Sequence, residues 1–165
     1  DEFGRLDVLV NSASLFEAAP LEQVSDDDWD RSLNVNLKGP FMLARDAAPL
    51  LRRDGGGLIV NIADLSAFQP WPSYVAHAVS KAGLVHLTRV LARALAPDIR
   101  ANCIAPGTVL PPAEYTESES DPAGARRVVG RNGGPEDVVR ALLYFVDADF
   151  VTGEVAVVDG GRMLL

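Results

Sequence analysis

Apolar residues in this chain gather into four short runs, separated by longer stretches in which they recur every three or four positions. The runs are LDVLVNSA (6–13), GLIVNIA (57–63), IRANCIAP (99–106) and EVAVVDGG (154–161). They are nearly continuous in β-branched and aliphatic residues, as strands covered on both faces of a parallel sheet require. Helical stretches lie between them. The first is predicted from Asp26 to Arg53, with Ser25 as N-cap, Asp28 at the capping-box position and a kink or break at Pro40. The second is predicted from Ser73 to just before Pro97, with Leu84, Leu87, Leu91 and Leu95 along one face. The third is predicted over Pro135 to Asp147, with proline in its first turn and Glu136 and Asp137 behind it. Such alternation implies βαβ units with right-handed crossovers, and so a single α/β domain over residues 1–165.

The pattern lapses between Pro111 and Gly134, where PPAEYTESESDPAGARR and RNGG are polar and rich in proline, glycine and serine. That stretch, 111–134, reads either as a substrate loop or as a plain surface connection. Gly55, Gly56 and Gly57 precede a strand and read as a turn. The run from Gly130 to Pro135 precedes a helix and reads as its capping turn.

Composition narrows the function classes. The chain has 165 residues, 48% hydrophobic and 23% charged, which is the make-up of one globular domain. A formal charge of −8 argues against a nucleic-acid partner, whose binding faces are basic. Apolar runs fall short of the roughly 20 residues that span a bilayer, so no membrane partner is expected. The opening DEFGRLDVLV predicts no secretory leader. Cys103 is the sole cysteine, which excludes an intrachain disulfide, fits a reducing cytoplasm and predicts an inert core thiol.

Six short strings, in order, resemble the short-chain dehydrogenase/reductase family. They are NSAS after the first strand, NVNLKG in the first helix, IVNIAD ending the second strand, Ser80-Lys81-Ala82 in the next helix, APG after the third strand and TGEVAVVDGG near the end. The resemblance implies a Rossmann-like doubly wound parallel sheet that binds NAD(P) at the carboxyl ends of its strands. It implies that this chain is the C-terminal portion only, about four strands with flanking helices, without the glycine-rich turn that holds the pyrophosphate. The strand with Val8, Leu9 and Val10 would then be an exposed apolar edge, inclined to associate. By match to the family strings, Asn11, Ala13, Lys81, Pro106, Gly107 and Thr108 line a nicotinamide cofactor, NADP(H) first and NAD(H) as the alternative. Asn36 matches the family asparagine that holds a water in the proton relay. Family habit also implies a homo-oligomer, a tetramer, acting on a small-molecule substrate.

Three details resemble the pteridine reductase and dihydromonapterin reductase branch. In NSASLF, Ser14 and Phe16 take the places of a serine that contacts the pterin and a phenylalanine that stacks on it; Phe16 as a simple loop anchor is the other reading. Asp64 stands where most of the family has serine, thirteen residues before the family tyrosine; it would bind a pterin N–H, or serve only as a strand-end turn residue. Pro40 is the third.

The family tyrosine itself is replaced by His77, four residues before Lys81. Helix geometry puts His77 and Lys81 on one face about 6 Å apart, whereas Tyr74 is about 10 Å from Lys81. An unperturbed histidine has a pKa of about 6.5 against about 10 for tyrosine, and Asp64 nearby would favour imidazolium. Three readings stay open: an Asp64–His77 pair that supplies the proton, Tyr74 swinging in as donor, or a fold that has lost catalysis. The first predicts that a His77→Tyr change keeps or raises activity and flattens its pH dependence. His86, mid-helix and without a partner motif, reads as structural.

Overall fold

The computed structural model describes residues 4–109 and 128–165. Four parallel strands, β1 (Val8–Asn11), β2 (Gly57–Ile62), β3 (Ile99–Pro106) and β4 (Val155–Val158), lie side by side in chain order. Val8 pairs with Leu58, Ile59 with Ala101 and Cys103 with Val155. Four α-helices accompany them: α1 (Asp26–Leu33), α2 (Gly39–Leu51), α3 (Val75–Ala94) and α4 (Pro135–Asp147).

Side chains alternate across the sheet. Ile59, Ile99 and Ala101 meet Ala44, Ala48 and Leu51 of α2 and Leu91 and Ala92 of α3. Leu58, Val60 and Ile104 point the other way, onto Phe145 of α4. The result is a helix–sheet–helix sandwich, in which each fully buried Leu, Ile or Phe contributes about 1.5–3 kcal/mol. β1 and β4 are the two edges of the described sheet, and Val10 on β1 is 40% exposed. Cys103 is buried, and burial pushes its thiol up to about 11, so it is inert as expected.

Local chemistry explains where the helices start and where they differ from expectation. The Ser25 hydroxyl accepts from the Asp28 N–H, and the Asp28 carboxylate accepts from the Ser25 N–H, each at 3.1 Å. The stretch expected from Asp26 to Arg53, with a kink or break at Pro40, is two α-helices joined just before that proline by a π-helical turn, Asn34–Lys38. Pro40 has no N–H to give the Asn36 carbonyl and would crowd it. Widening the turn removes that conflict, and the Gly39 N–H closes on the Asn34 carbonyl instead. α3 begins at Val75, not Ser73: Tyr74, at φ −132° and ψ 43°, is still outside it. α4 begins at Pro135, and the Gly134 N–H donates to the Asp137 carboxylate at 3.0 Å, which makes 130–134 the capping turn expected. The Arg131 guanidinium beside Asp137 holds that carboxyl far below the usual range. Of the expected loop 111–134, residues 111–127 lie outside the described residues. His86 is exposed, because its position on α3 faces away from the Leu84–Leu91 stripe, so it has no role in the core.

Candidate active site

The carboxyl edge of the sheet collects the residues the sequence singled out. β1 ends at Asn11, β2 runs on into Asp64, and β3 ends at Pro106 ahead of Gly107 and Thr108. α3 crosses above with His77 and Lys81 one turn apart, 2% and 3% exposed.

The centre of the site is a buried pair. His77 Nε2 lies 2.7 Å from Asp64 Oδ2, and His77 Nδ1 lies 2.8 Å from the Leu15 carbonyl oxygen. A carbonyl only accepts, so Nδ1 carries a proton. Nε2 faces a carboxylate, so a second proton is shared between ring and carboxyl. The pair therefore holds one proton more than a neutral imidazole beside a free carboxylate.

Asp64 is fixed from its other oxygen. Oδ1 accepts from the Ser66 N–H at 2.8 Å and from the Ser66 hydroxyl. Burial pushes the Asp64 carboxyl up, but the hydrogen bonds from His77 and Ser66 outweigh burial and hold it below the usual range. Lys81 donates to the Ile62 carbonyl at 2.9 Å, and burial lowers its pKa against the opposing pull of Asp64.

Asn36 sets the loop that covers the ring. Its Oδ1 accepts from the Leu15 N–H at 2.7 Å, while its Nδ2 donates to the Leu15 carbonyl at 3.0 Å and to Ser80 Oγ at 3.0 Å. Leu15 is thereby clamped in place to cap His77. The amide is fully buried and spent on these partners, so here Asn36 positions the loop.

Phe16, next in chain, meets the imidazole edge-on at 4.7 Å between centroids. Tyr74 stacks on Phe16 at 4.4 Å, and Trp71 closes the group at 6.2 Å from Phe16 and 6.0 Å from Tyr74. Tyr74 is thus committed to an aromatic cluster 6.5 Å from the His77 ring, which does not favour it as the proton donor. Phe16 remains 54% exposed, and Ser14 is exposed beside it with its hydroxyl on the Leu15 carbonyl at 3.4 Å.

The opposite part of the edge fits a nicotinamide dinucleotide on two observations. Asn11 is 6% exposed and gives its Nδ2 to Asn61 at 2.8 Å, which leaves its buried Oδ1 without a partner. Among the described residues, Lys81 spends one of its three donors on the protein. Gly107 lies so close to Asp159 that a Cβ would meet its Cα and Cβ at 3.0 Å, so glycine is what lets these two strand-end segments pack together. Ala13 is exposed at the same edge, and Thr108 Oγ1 accepts from Arg162 at 2.8 Å. No groups of three or more metal-ligating side chains occur among the described residues.

Three contributors were not singled out from sequence: Ser66, the Leu15 carbonyl and Trp71. Ser66 could have been found, since a serine two residues after an aspartate at a strand end is an Asx-turn signature. The other two depend on how the loop folds back.

Fold and edge together define a doubly wound, dinucleotide-binding type of protein. The sequence pattern described as Enoyl-(Acyl carrier protein) reductase matches residues 1–162. The 3-oxoacyl-(acyl-carrier-protein) reductase of Thermotoga maritima is 35% identical over 168 residues, covering 99% of this chain and 68% of the relative. A solved apo SCOR enzyme from Clostridium thermocellum superposes with a TM-score of 0.86 at 38% identity, covering 98% of this chain and 64% of that one. A 4-hydroxyisoleucine dehydrogenase complexed with NADH superposes with a TM-score of 0.85 at 32% identity, covering 96% and 70%. The chain belongs to the short-chain dehydrogenase/reductase family, whose members depend on NAD(P), and it spans about two thirds of the length of these relatives. Reductases and dehydrogenases of several kinds are among them, without a specific tie to the pteridine reductase branch. No described helix is long and apolar enough to cross a membrane.

Proposed function

We propose that this protein is the catalytic portion of an NAD(P)-linked oxidoreductase in which the Asp64–His77 pair does the acid–base work that tyrosine does elsewhere in the family. The observation that carries the reading is that both His77 ring nitrogens face acceptors, so the pair stores a transferable proton. A bound nicotinamide dinucleotide would supply or take the hydride. The chain's own groups do the rest. Lys81 offers its remaining donors to the ribose, and Asn11 Oδ1 accepts from the ligand. Asp64, the more exposed member at 22% against 2%, meets the acceptor and passes on the proton held with His77. The aromatic cluster keeps bulk water from the ring, which strengthens the pair electrostatically. Positioned acid catalysis of this kind contributes about 10²–10⁴-fold.

For the acceptor, the site favours a planar heterocycle bearing N–H groups, pterin-like in shape. Half-exposed Phe16 offers a ring to stack on, worth about 0.5–1.5 kcal/mol beyond burial. Asp64 offers a carboxylate where most of the family has a hydroxyl. A second reading, a simple ketone or secondary alcohol, is favoured by the relatives, which include a 3-oxoacyl reductase and a 3beta-hydroxysteroid dehydrogenase of Eggerthella lenta. NADP(H) is the proposed cofactor, and a homo-oligomer the proposed working form. The test is turnover by the complete protein of a dihydropterin and of a small ketone panel, with NADPH and with NADH. Dihydropterin turnover that falls at least about 100-fold in Asp64→Asn supports the reading. Full turnover in His77→Gln would sink it.

A further inference from the structure

We infer that Ser66 is a positioning residue that leaves Asp64 one hydrogen-bonding place for the acceptor, on Oδ2, so that the acceptor meets the pair through a single atom. The inference rests on the function proposed above and deepens it, because it says how the acceptor is held at that same site.

Counting acceptor positions leads there. A carboxylate offers about four in its plane, two on each oxygen. Oδ1 of Asp64 accepts from the Ser66 N–H at 2.8 Å and from the Ser66 hydroxyl, so both of its places are filled. Oδ2 lies 2.7 Å from His77 Nε2, which fills one of its two. One place is left, beside the one His77 holds. The Asp64 side chain is 22% exposed against 2% for His77, so a ligand can come to the carboxyl but not to the ring. Ser66 is held firmly. It is buried on the 3₁₀ turn Leu65–Ala67 directly after Asp64, buried Leu65 pins that turn, and the Ala67 N–H closes it on the Asp64 carbonyl at 3.2 Å. Swinging the carboxyl to aim Oδ1 at the acceptor would strand both Ser66 donors, and a buried donor without a partner is costly.

His77 holds the other end. With Nε2 on Oδ2 and Nδ1 on the Leu15 carbonyl, the ring cannot turn without losing both bonds. Oδ2 is therefore both the oxygen that takes the proton and the oxygen that gives it up. In a reduction the Nε2–H bond breaks as an Oδ2–H bond forms. That hydroxyl turns about its C–O bond to the second place, and the Oδ2–H bond breaks as the acceptor atom takes the proton. The electron pair arrives as hydride from the dinucleotide, and a neutral imidazole beside a carboxylate is left. The consequence is chemical selectivity. A ketone oxygen or one ring nitrogen suits a single place. A paired edge, such as a ring N–H beside an exocyclic amino group, needs Oδ1 and Oδ2 together, and Oδ1 is taken. An amino group on a pterin-like acceptor is thus read by other groups of the site.

Ser66→Ala in the complete protein keeps the N–H bond and removes the hydroxyl, which frees one place on Oδ1. Assayed with the acceptor that turns over, dihydropterin or ketone, kcat should fall about 10- to 100-fold with KM within about threefold, because a carboxyl free to turn is present but misplaced for proton transfer. The Nε2–H proton signal of His77 should broaden as the two carboxyl oxygens exchange in front of it. A second measurement works through the ligand. With NADP⁺ bound to prevent turnover, the Kd of a dihydropterin is compared with that of its analogue lacking the 2-amino group, in wild type and in Asp64→Asn. The ratio should agree between the two proteins to within about threefold. A larger change would mean that Asp64 reads the amino group, and would overturn the single-atom contact. So would a Ser66→Ala enzyme that melts cooperatively and keeps kcat within about threefold of wild type. Turnover that survives loss of His77 would instead refute the proposed function, and the ring signal of Ser66→Ala would still report whether the hydroxyl holds the carboxyl.

Discussion

Replacing Asp64 with asparagine takes the shared proton away while leaving its scaffold in place. Ser66 gives both its N–H and its hydroxyl to Oδ1, so the amide oxygen of the substituted side chain would settle there and its NH₂ would face His77 Nε2. Because Nδ1 donates to the Leu15 carbonyl, the ring then has to be the neutral Nδ1–H tautomer with Nε2 accepting. Every hydrogen bond survives in neutral form. The stability cost is the difference between a charge-assisted bond, about 1.5–3 kcal/mol, and a neutral one, about 0.5–1.5 kcal/mol, so about 1–2 kcal/mol. For a chain of this size that is a fall in Tm of about 2–8 °C. Turnover should fall much further, by about 10²–10⁴, equivalent to about 2.7–5.5 kcal/mol of barrier. Nitrogen NMR of the ring should show both nitrogens protonated in the wild type and Nε2 bare in the variant. The stability gap should also depend on pH. Asp64 is held below its ordinary 3.8, so its contribution is complete above that value and fades as pH falls through the lower folded one. Wild type and variant should therefore converge in acid. Turnover by Asp64→Asn within about threefold of wild type would refute the shared-proton argument.

Three further outcomes follow from the same geometry. His77→Tyr alone should lose about 1–3 kcal/mol and most activity, contrary to the expectation from sequence, because the longer side chain drives its hydroxyl into Asp64, already 2.7 Å from Nε2. Adding Asp64→Ser should restore both, giving a coupling of about 0.5–3 kcal/mol in a double-mutant cycle; additive effects would count against the steric account. Lys81→Met should weaken dinucleotide binding at least about tenfold by titration, yet melt close to wild type, since it removes a charge whose burial is unfavourable. Phe145→Ala, fully buried against Leu58, Val60 and Ile104, should cost about 3–5 kcal/mol in urea unfolding without altering the His77 ring signals; a loss below about 1 kcal/mol would mean that α4 is not anchored there.

The strands and most helix boundaries were legible because they rest on local signals. Ser25 and Asp28 announce a capping box, Pro135 a first turn, and the apolar runs a sheet covered on both faces. Pro40 also announced an irregularity, but not its form. A proline shows that the Asn36 carbonyl loses its donor, whereas the choice between a kink and a widened π turn depends on what Asn36 must reach. The members of the site were legible by their match to family strings, and the joining of Asp64 to His77 followed from their order. The proton count did not follow. It depends on the Leu15 carbonyl facing Nδ1, a contact 62 residues apart in sequence that any residue type could supply. Tyr74 was less legible: the pattern starting at Ser73 placed it inside α3 although it lies just before that helix, and its stacking on Phe16 needed the loop fold.

The two departures from the family pattern explain each other through reach. An imidazole is shorter than a phenol, so His77 alone would leave its nitrogen short of the acceptor, buried under Phe16. An aspartate is longer than a serine, and Asp64 extends from the end of β2 across that gap to meet Nε2. Either change alone is unfavourable. A buried carboxylate beside a tyrosine would crowd it, and a buried histidine beside a serine would keep Nδ1 on Leu15 without a charge to hold the second proton. Together they keep the distance between helix and strand filled and move the proton store from a phenol to an ion pair. On the proposed mechanism, the atom that meets the acceptor is a carboxyl oxygen on the strand side, with the ring behind it as the reservoir.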